Sequence, residues 1–215
     1  MFGLNFLGKF GGRVMLHQVD YNHVPLGTNG GAIKQFFDKE TLSYFAQVFN
    51  SFTPSKTQYQ TISAVLCEKF NTSGETKREV QDINLPPNIR ELVTNRLQMY
   101  FGKDAYVVAC ECWQDYSFYE NNLHMDDADS VKNVLIIAIT ADPFTGTQFW
   151  NEYERQFIYN IPEYNKAFYL LNSTEVMHGM KFWVPLRFLR RSVCILTSIN
   201  SCNRPFLAFN PVYKF

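Results

Sequence analysis

Residues 131–150 read VKNVLIIAITADPFTGTQFW, and the fold turns on them. The run 131–140 is dominated by β-branched and aliphatic side chains, Asp142-Pro143 is a turn signal, and 147–150 begins a second short apolar run, so the spacing predicts two strands joined by a turn. Working outward, 105–113, 167–171 and 192–199 have the same texture, and Asn172-Ser173 breaks the chain after the second of them. From residue 105 onward the chain is therefore expected to be short strands divided by turns.

The first half reads differently. Over 38–52, Leu42, Phe45, Val48, Phe49 and Phe52 fall at helical spacing, with Asp38 placed to cap the start. Over 86–101, Pro-Pro opens a segment whose stripe is Ile89, Leu92, Val93, Leu97 and Tyr100, and Gly102 closes it. Between them, 61–66 reads as a strand and 71–82 as a polar loop holding Ser73-Gly74. Helices followed by a run of strands predict a mainly β protein with supporting helices, built as an antiparallel double sheet. No internal repeat or low-complexity tract interrupts it.

A length of 215 residues suits one large domain and is ample for a sizeable core. The 20 Phe, 12 Tyr and 3 Trp supply the bulk that fills the space between sheets. Lys plus Arg and Asp plus Glu each number 20, so the whole molecule lacks the field that drives indiscriminate binding to nucleic acid or anionic membrane, leaving room for a local patch. Five cysteines, Cys67, Cys110, Cys112, Cys194 and Cys202, are odd in number and show no Cys-x-x-Cys spacing. They read as free thiols of a reducing compartment, with Cys110 and Cys112 on one face of a strand. Residues 1–12 are apolar only in places, and no segment approaches the length of a membrane span. The expectation is a cytoplasmic protein without a membrane segment.

Of four histidines, two lie in the strand-rich half. His124-Met125-Asp126 falls between two expected strands, and His178 follows the strand at 167–171. Residues two apart in extended chain project from the same side, so His124 and Asp126 can reach one ion, and the 52 residues from Asp126 to His178 allow several strands to intervene. Two histidines and one carboxylate can cover one face of an octahedral iron(II) and leave three positions open. On its own, His-x-Asp also arises as a solvated pair; what surrounds it decides.

The surroundings resemble the iron(II)- and 2-oxoglutarate-dependent oxygenases, in their prolyl-hydroxylase-like branch. The resemblance covers about 113–199, less than half the chain, and its pieces keep the family's order: His124-Met125-Asp126; Val134-Leu135-Ile136-Ile137-Ala138-Ile139; Thr145-Gly146-Thr147-Gln148-Phe149-Trp150; Ala167-Phe168-Tyr169-Leu170-Leu171; His178; and Arg190-Arg191-Ser192. The third piece departs from the family's Gly-Gly-x-Thr-x-Phe turn, since only Gly146 is present and it is displaced. The resemblance implies a double-stranded β-helix, the jelly-roll or cupin-like fold, over 105–215, with 1–104 as helical support and N-terminal strands of one domain. It also implies iron(II) held by His124, Asp126 and His178, with 2-oxoglutarate and O₂ as co-substrates, a C–H bond hydroxylated, and succinate and CO₂ released.

In such enzymes a basic residue about ten positions after the second histidine pairs with the far carboxylate of 2-oxoglutarate, where bidentate arginine geometry suits a buried carboxylate. Arg190 and Ser192, two apart on a strand, face one side together, and Arg191 faces the other; a reversed phase exchanges them. Tyr116 and Tyr119 precede His124 by eight and five residues, where relatives place a co-substrate hydrogen bond, and they read equally well as packing aromatics. Trp150 and Trp113 are pocket candidates with buried core as the alternative, Asp127 and Asp129 read as loop acids, and His17 and His23 as surface or structural. For substrate, the resemblance favours a protein or peptide side chain, prolyl included, ahead of a small molecule; nucleic acid comes third because of the balanced charge, with Lys181, Arg187, Arg190 and Arg191 as a candidate local basic surface. Residues 10–30 and 70–87 are the expected specificity elements. A His₂-Asp zinc hydrolase and a non-catalytic jelly-roll binding module are the readings from other classes.

Overall fold

A computed structural model describes residues 23–26, 29–126, 133–140, 145–151, 155–171, 176–182 and 189–198. The two expected helices are present. Helix α1 (Lys39–Asn50) is capped by Asp38, whose Oδ1 accepts from Thr41 N at 2.7 Å. The later one, α3 (Pro87–Phe101), starts after Pro86 and stops at Gly102, whose φ of 95° lies in the region only glycine enters freely.

Between them the reading needs correcting twice. Residues 61–66 do not form a strand: β3 (Lys56–Thr61) ends there and α2 (Ala64–Phe70) begins, its first turn capped by Ser63 Oγ accepting from Leu66 N. A short apolar run does not separate helix from strand by periodicity, and the capping serine decides this one. Nor is 71–82 a loop. Its second half is β4 (Glu75–Asp82), in which Thr76, Arg78 and Val80 alternate inward.

The strands make two antiparallel sheets. The large one has the order β1 (His23–Pro25), β2 (Gly30–Ile33), β10 (Ala167–Leu171), β7 (Asn133–Ala138), β12 (Arg190–Ser198), β5 (Tyr106–Asp115), β4, β3. The small one has the order β6 (Asn121–His124), β11 (His178–Phe182), β8 (Thr145–Asn151), β9 (Gln156–Asn160). This is the expected mainly β jelly roll with supporting helices.

Alternation along the central strands divides the large sheet into two faces. Cys110, Cys112, Leu135, Ile137, Val193 and Ile195 point to the helices and join Phe45, Phe49, Ile89, Val93 and Leu97 in the main core. Their neighbours Glu111, Trp113, Val134, Ile136, Cys194 and Leu196 point the other way and line a cavity. Helices on one face leave the other free to hold a site. Cys67, Cys110, Cys112 and Cys194 are free thiols, and the first pair along β5 does share a face. No helix among the described residues is long and apolar enough to cross a membrane.

Candidate metal centre

Strand β6 ends at His124, and the chain passes through Met125 to Asp126. His178 opens β11 and is the cross-strand partner of His124, so pairing alone brings the rings together, 4.5 Å between centroids. Asp126 Oδ1 is 3.6 Å from His124 Nε2 and 3.7 Å from His178 Nε2. Residues far apart in sequence, His124 and His178, thus meet through one strand pair, with Asp126 just beyond its end.

The imidazoles are oriented from behind. His124 Nδ1 lies 2.7 Å from Asn122 O, and His178 Nδ1 lies 2.8 Å from Val176 O. A carbonyl only accepts, so each Nδ1 carries a proton, and each Nε2 is the ring nitrogen turned toward Asp126 and left to meet a metal. Burial pushes the His178 imidazole below its usual value, as does the neighbouring His124 ring, against the Val176 carbonyl and the Asp126 carboxylate. It is thereby kept in the neutral form that binds cations. Asp126 Oδ2 is buried with no hydrogen-bond partner among the described residues, which is costly for a carboxylate oxygen unless a cation meets it. Two imidazole nitrogens and a carboxylate converging on one point fit a divalent transition metal.

The three residues stand at one end of a cavity of about 520 Å³ between the two sheets, whose lining includes Lys56, Gln58, Arg78, Trp113, Thr147 and Arg190. Arg190 is buried on the cavity face of β12, and its Nη1 donates to Asp115 Oδ2 at 3.2 Å. Ser192, on the same face, is fully buried, and its Oγ has no hydrogen-bond partner among the described residues. Arg191 faces the helices instead: its Nε donates to Gln114 Oε1 at 3.0 Å and its guanidinium sits over the Phe49 ring.

The tyrosines part ways. Tyr116 donates to Glu79 Oε2 at 3.1 Å and carries Lys77 over its ring, apart from the cavity lining. Tyr119 is buried, donates to the cavity residue Gln58 at 2.7 Å and lies under the Arg78 guanidinium. Trp113 lines the cavity; Trp150 does not, its ring packing edge-on against Phe157. His23 bonds and stacks with Tyr169, a structural role. Asp127, Asp129, His17, Arg187, Cys202, residues 1–12 and most of 10–30 lie outside the described residues, as does the Lys181 side chain.

A buried ion pair, of which Arg78 lines the cavity, escaped the sequence reading. Arg78 is buried at 3% exposure, and Asp115 is fully buried. Arg78 Nε donates to Asp115 Oδ1 at 2.5 Å and Nη2 to Oδ2 at 3.2 Å, while the guanidinium packs 4.1 Å from the Trp113 ring centroid. The sequence offers only the β-branched Thr76 and Val80 two positions either side of Arg78, too weak a signal in a polar run to mark a strand.

No family model matches the sequence, and no curated protein matches it. Solved structures do match in fold. An oxidoreductase of the 2-oxoglutarate–Fe(II) oxygenase family from Burkholderia pseudomallei superposes with a TM-score of 0.57 at 13% identity, covering 79% of this chain and 85% of its own. A Trichoplax adhaerens prolyl hydroxylase, in complex with a hypoxia-inducible-factor peptide fragment, gives 0.55 at 11% identity over 79% and 83%. HygX from Streptomyces hygroscopicus, solved with nickel and 2-oxoglutarate, gives 0.54 at 10% identity over 81% and 84%. With the chain order of its motifs, the double sheet and the placement of His124 and His178 on paired strands, this protein has the jelly-roll fold of the 2-oxoglutarate–Fe(II) oxygenases.

Proposed function

We propose that the whole chain, 1–215, is one iron(II) oxygenase domain that uses 2-oxoglutarate and O₂ to hydroxylate a C–H bond, releasing succinate and CO₂. The observation that carries this reading is one cavity holding both His124, Asp126 and His178 and, on the facing sheet, the buried Arg190. A His₂-carboxylate set alone also suits catalytic zinc. A buried guanidinium across the cavity gives a dicarboxylate co-substrate a second point of attachment, for which the hydrolase reading has no use.

Bound at the three ligands, iron(II) supplies the oxidative chemistry that couples decarboxylation of the keto acid to oxygenation of the substrate. The protein's own residues do the rest. Asn122 and Val176 carbonyls hold the imidazoles in register, Asp126 contributes the negative charge, and Arg190 pairs with the far carboxylate of 2-oxoglutarate. Ser192 Oγ donates to the same carboxylate, which meets its unsatisfied burial. Val134, Ile136 and Leu196 contribute apolar wall to the same cavity and help exclude water.

The substrate is a protein or peptide side chain, prolyl included, with a small molecule as the next class. The similarity in fold to a prolyl hydroxylase holding a peptide supports that order, and the balanced charge disfavours nucleic acid. Four free thiols support a cytoplasmic setting.

The test is anaerobic addition of iron(II) and 2-oxoglutarate to metal-free protein. The expected result is a weak visible charge-transfer band, absent in His124→Ala and requiring a much higher 2-oxoglutarate concentration in Arg190→Ala. Tight zinc binding with no such band overturns the proposal in favour of a hydrolase or a binding module.

A further inference from the structure

Strand β6 carries His124, yet its own sheet gives it little hold. It is four residues long and ends the small sheet, with β11 on one side and, among the described residues, no strand on the other. The pairing with β11 is uneven as well. Asn121 stands opposite Met180 and His124 opposite His178, three steps along one strand against two along the other, so the ladder is locally disrupted. A slip of one residue would set Leu123 or Met125 opposite His178 and turn the His124 ring out of the cavity. Both of those side chains are exposed in the register observed.

The missing hold comes from the large sheet. Gln60 lies on β3, the last strand of that sheet, and lays its amide along the backbone of Glu120, the residue before β6. Its Oε1 accepts from Glu120 N at 2.9 Å, and its Nε2 donates to Glu120 O. One donor and one acceptor exchanged with a single residue is what a residue of a neighbouring strand offers, so the side chain stands in for a strand where β6 starts. The same hairpin holds the turn that leads there. Gln58 accepts from the Tyr119 hydroxyl at 2.7 Å, Thr76 Oγ1 donates to Ser117 O at 2.6 Å, and Lys77 O accepts from Tyr116 N at 3.0 Å. Inside the turn, Phe118 has a φ of 67°, left-handed for a residue with a Cβ, and its ring packs against Phe70 of α2. Such a conformation persists only where its surroundings impose it.

Resting on the metal set of the function proposed above, we infer that Gln60 is a positioning residue of the metal centre: its amide fixes where β6 starts and so the register that turns His124 and Asp126 toward His178. Gln60 is apart from the cavity lining. It acts through Glu120 and one short strand, so its loss displaces a ligand without removing one. By reciprocity, a metal that draws His124 into place strengthens the pairing of Gln60 with Glu120 by the same factor.

Cobalt(II) titration of the metal-free protein, followed by the visible absorption of the bound ion, reads ligand geometry as well as affinity. Gln60→Met, which keeps the length and removes both polar atoms, is expected to bind cobalt about tenfold more weakly than wild type and to give a saturated spectrum of different shape. Leu97→Ala, truncated in the helix-side core, is expected to keep wild-type affinity and spectrum. Gln60→Met with the affinity and spectrum of wild type overturns the inference. So does Leu97→Ala weakened as much as Gln60→Met, since lost stability alone would then account for the effect. If Gln60→Met does not fold, amide exchange in the wild type decides: zinc is expected to slow the Glu120 N–H by about tenfold, and an unchanged rate overturns the inference. Wild-type protein that binds no cobalt overturns the proposed function itself, an outcome separate from all of these.

Discussion

The β5 and β12 thiols show how sharply one strand's alternation sorts its residues. Cys110 and Cys112 are buried beneath the helices and Cys194 faces the cavity, and burial pushes all three upward, Cys110 to about 12. Each therefore stays protonated in the folded protein where an unfolded thiol, near 8.5, would already ionise. The unfolded state binds fewer protons above that value, so the folded state loses stability as pH rises from about 8.5 toward 12, by at most about 1.4 kcal/mol per pH unit for each thiol. Thermal melting between pH 8 and 11 should show this decline, and Cys110→Ser should flatten it. At pH 8, Cys67 should be alkylated well before the other three, as peptide mapping after a short iodoacetamide pulse would record.

Elements built from apolar β-branched runs were legible in the sequence. Strand β10 begins and ends where the pattern places it, and β5, β7 and β12 lie within a few residues of expectation. Strand β4 was not legible, because its inward positions are Thr76, Arg78 and Val80: a polar strand reads as a loop until the partner that satisfies the arginine is known, and Asp115 lies 37 residues away. The grouping of His124, Asp126 and His178 was readable because histidine is rare in this chain and a His-x-Asp spacing is specific, whereas the partners of a lone arginine such as Arg78 emerge only from register. The same limit hid β2, whose glycines look like a loop. Gly31 is there because a Cβ would stand 2.3 Å from the Tyr169 hydroxyl oxygen, the atom that bonds His23 at 2.7 Å. Gly31→Ala should therefore cost about 1–3 kcal/mol in urea unfolding by forcing that ring aside, while leaving metal affinity unchanged. Truncation on the helix side, Leu97→Ala, should cost more, about 2–5 kcal/mol.

At the scale of the molecule, the site joins the two sheets. The candidate ligands His124 and His178 stand on the small sheet, and Arg78, Asp115 and Arg190 stand on the large one. Metal that binds only the folded protein stabilises it by about 2.7 kcal/mol at a hundredfold excess over its dissociation constant. Chelation should lower the melting temperature accordingly, and His178→Ala should abolish that difference. Hydrogen exchange should locate the loss in β6, an edge strand paired on one side only, with little change in β5 or β12.

The ion pairs that Asp115 makes with Arg78 and Arg190 also bear on modularity. Because Arg78 precedes residue 105 and Asp115 and Arg190 follow it, no cut in the chain separates a scaffold from a complete active cavity. Exchange of the first 104 residues with those of another jelly roll would graft a foreign side chain beside Asp115 and reset the charge of the cavity. Domain shuffling at that boundary would thus separate a buried ion pair while leaving His124, Asp126 and His178 together, and any recombinant library built across it should carry positions 78 and 115 as a linked pair.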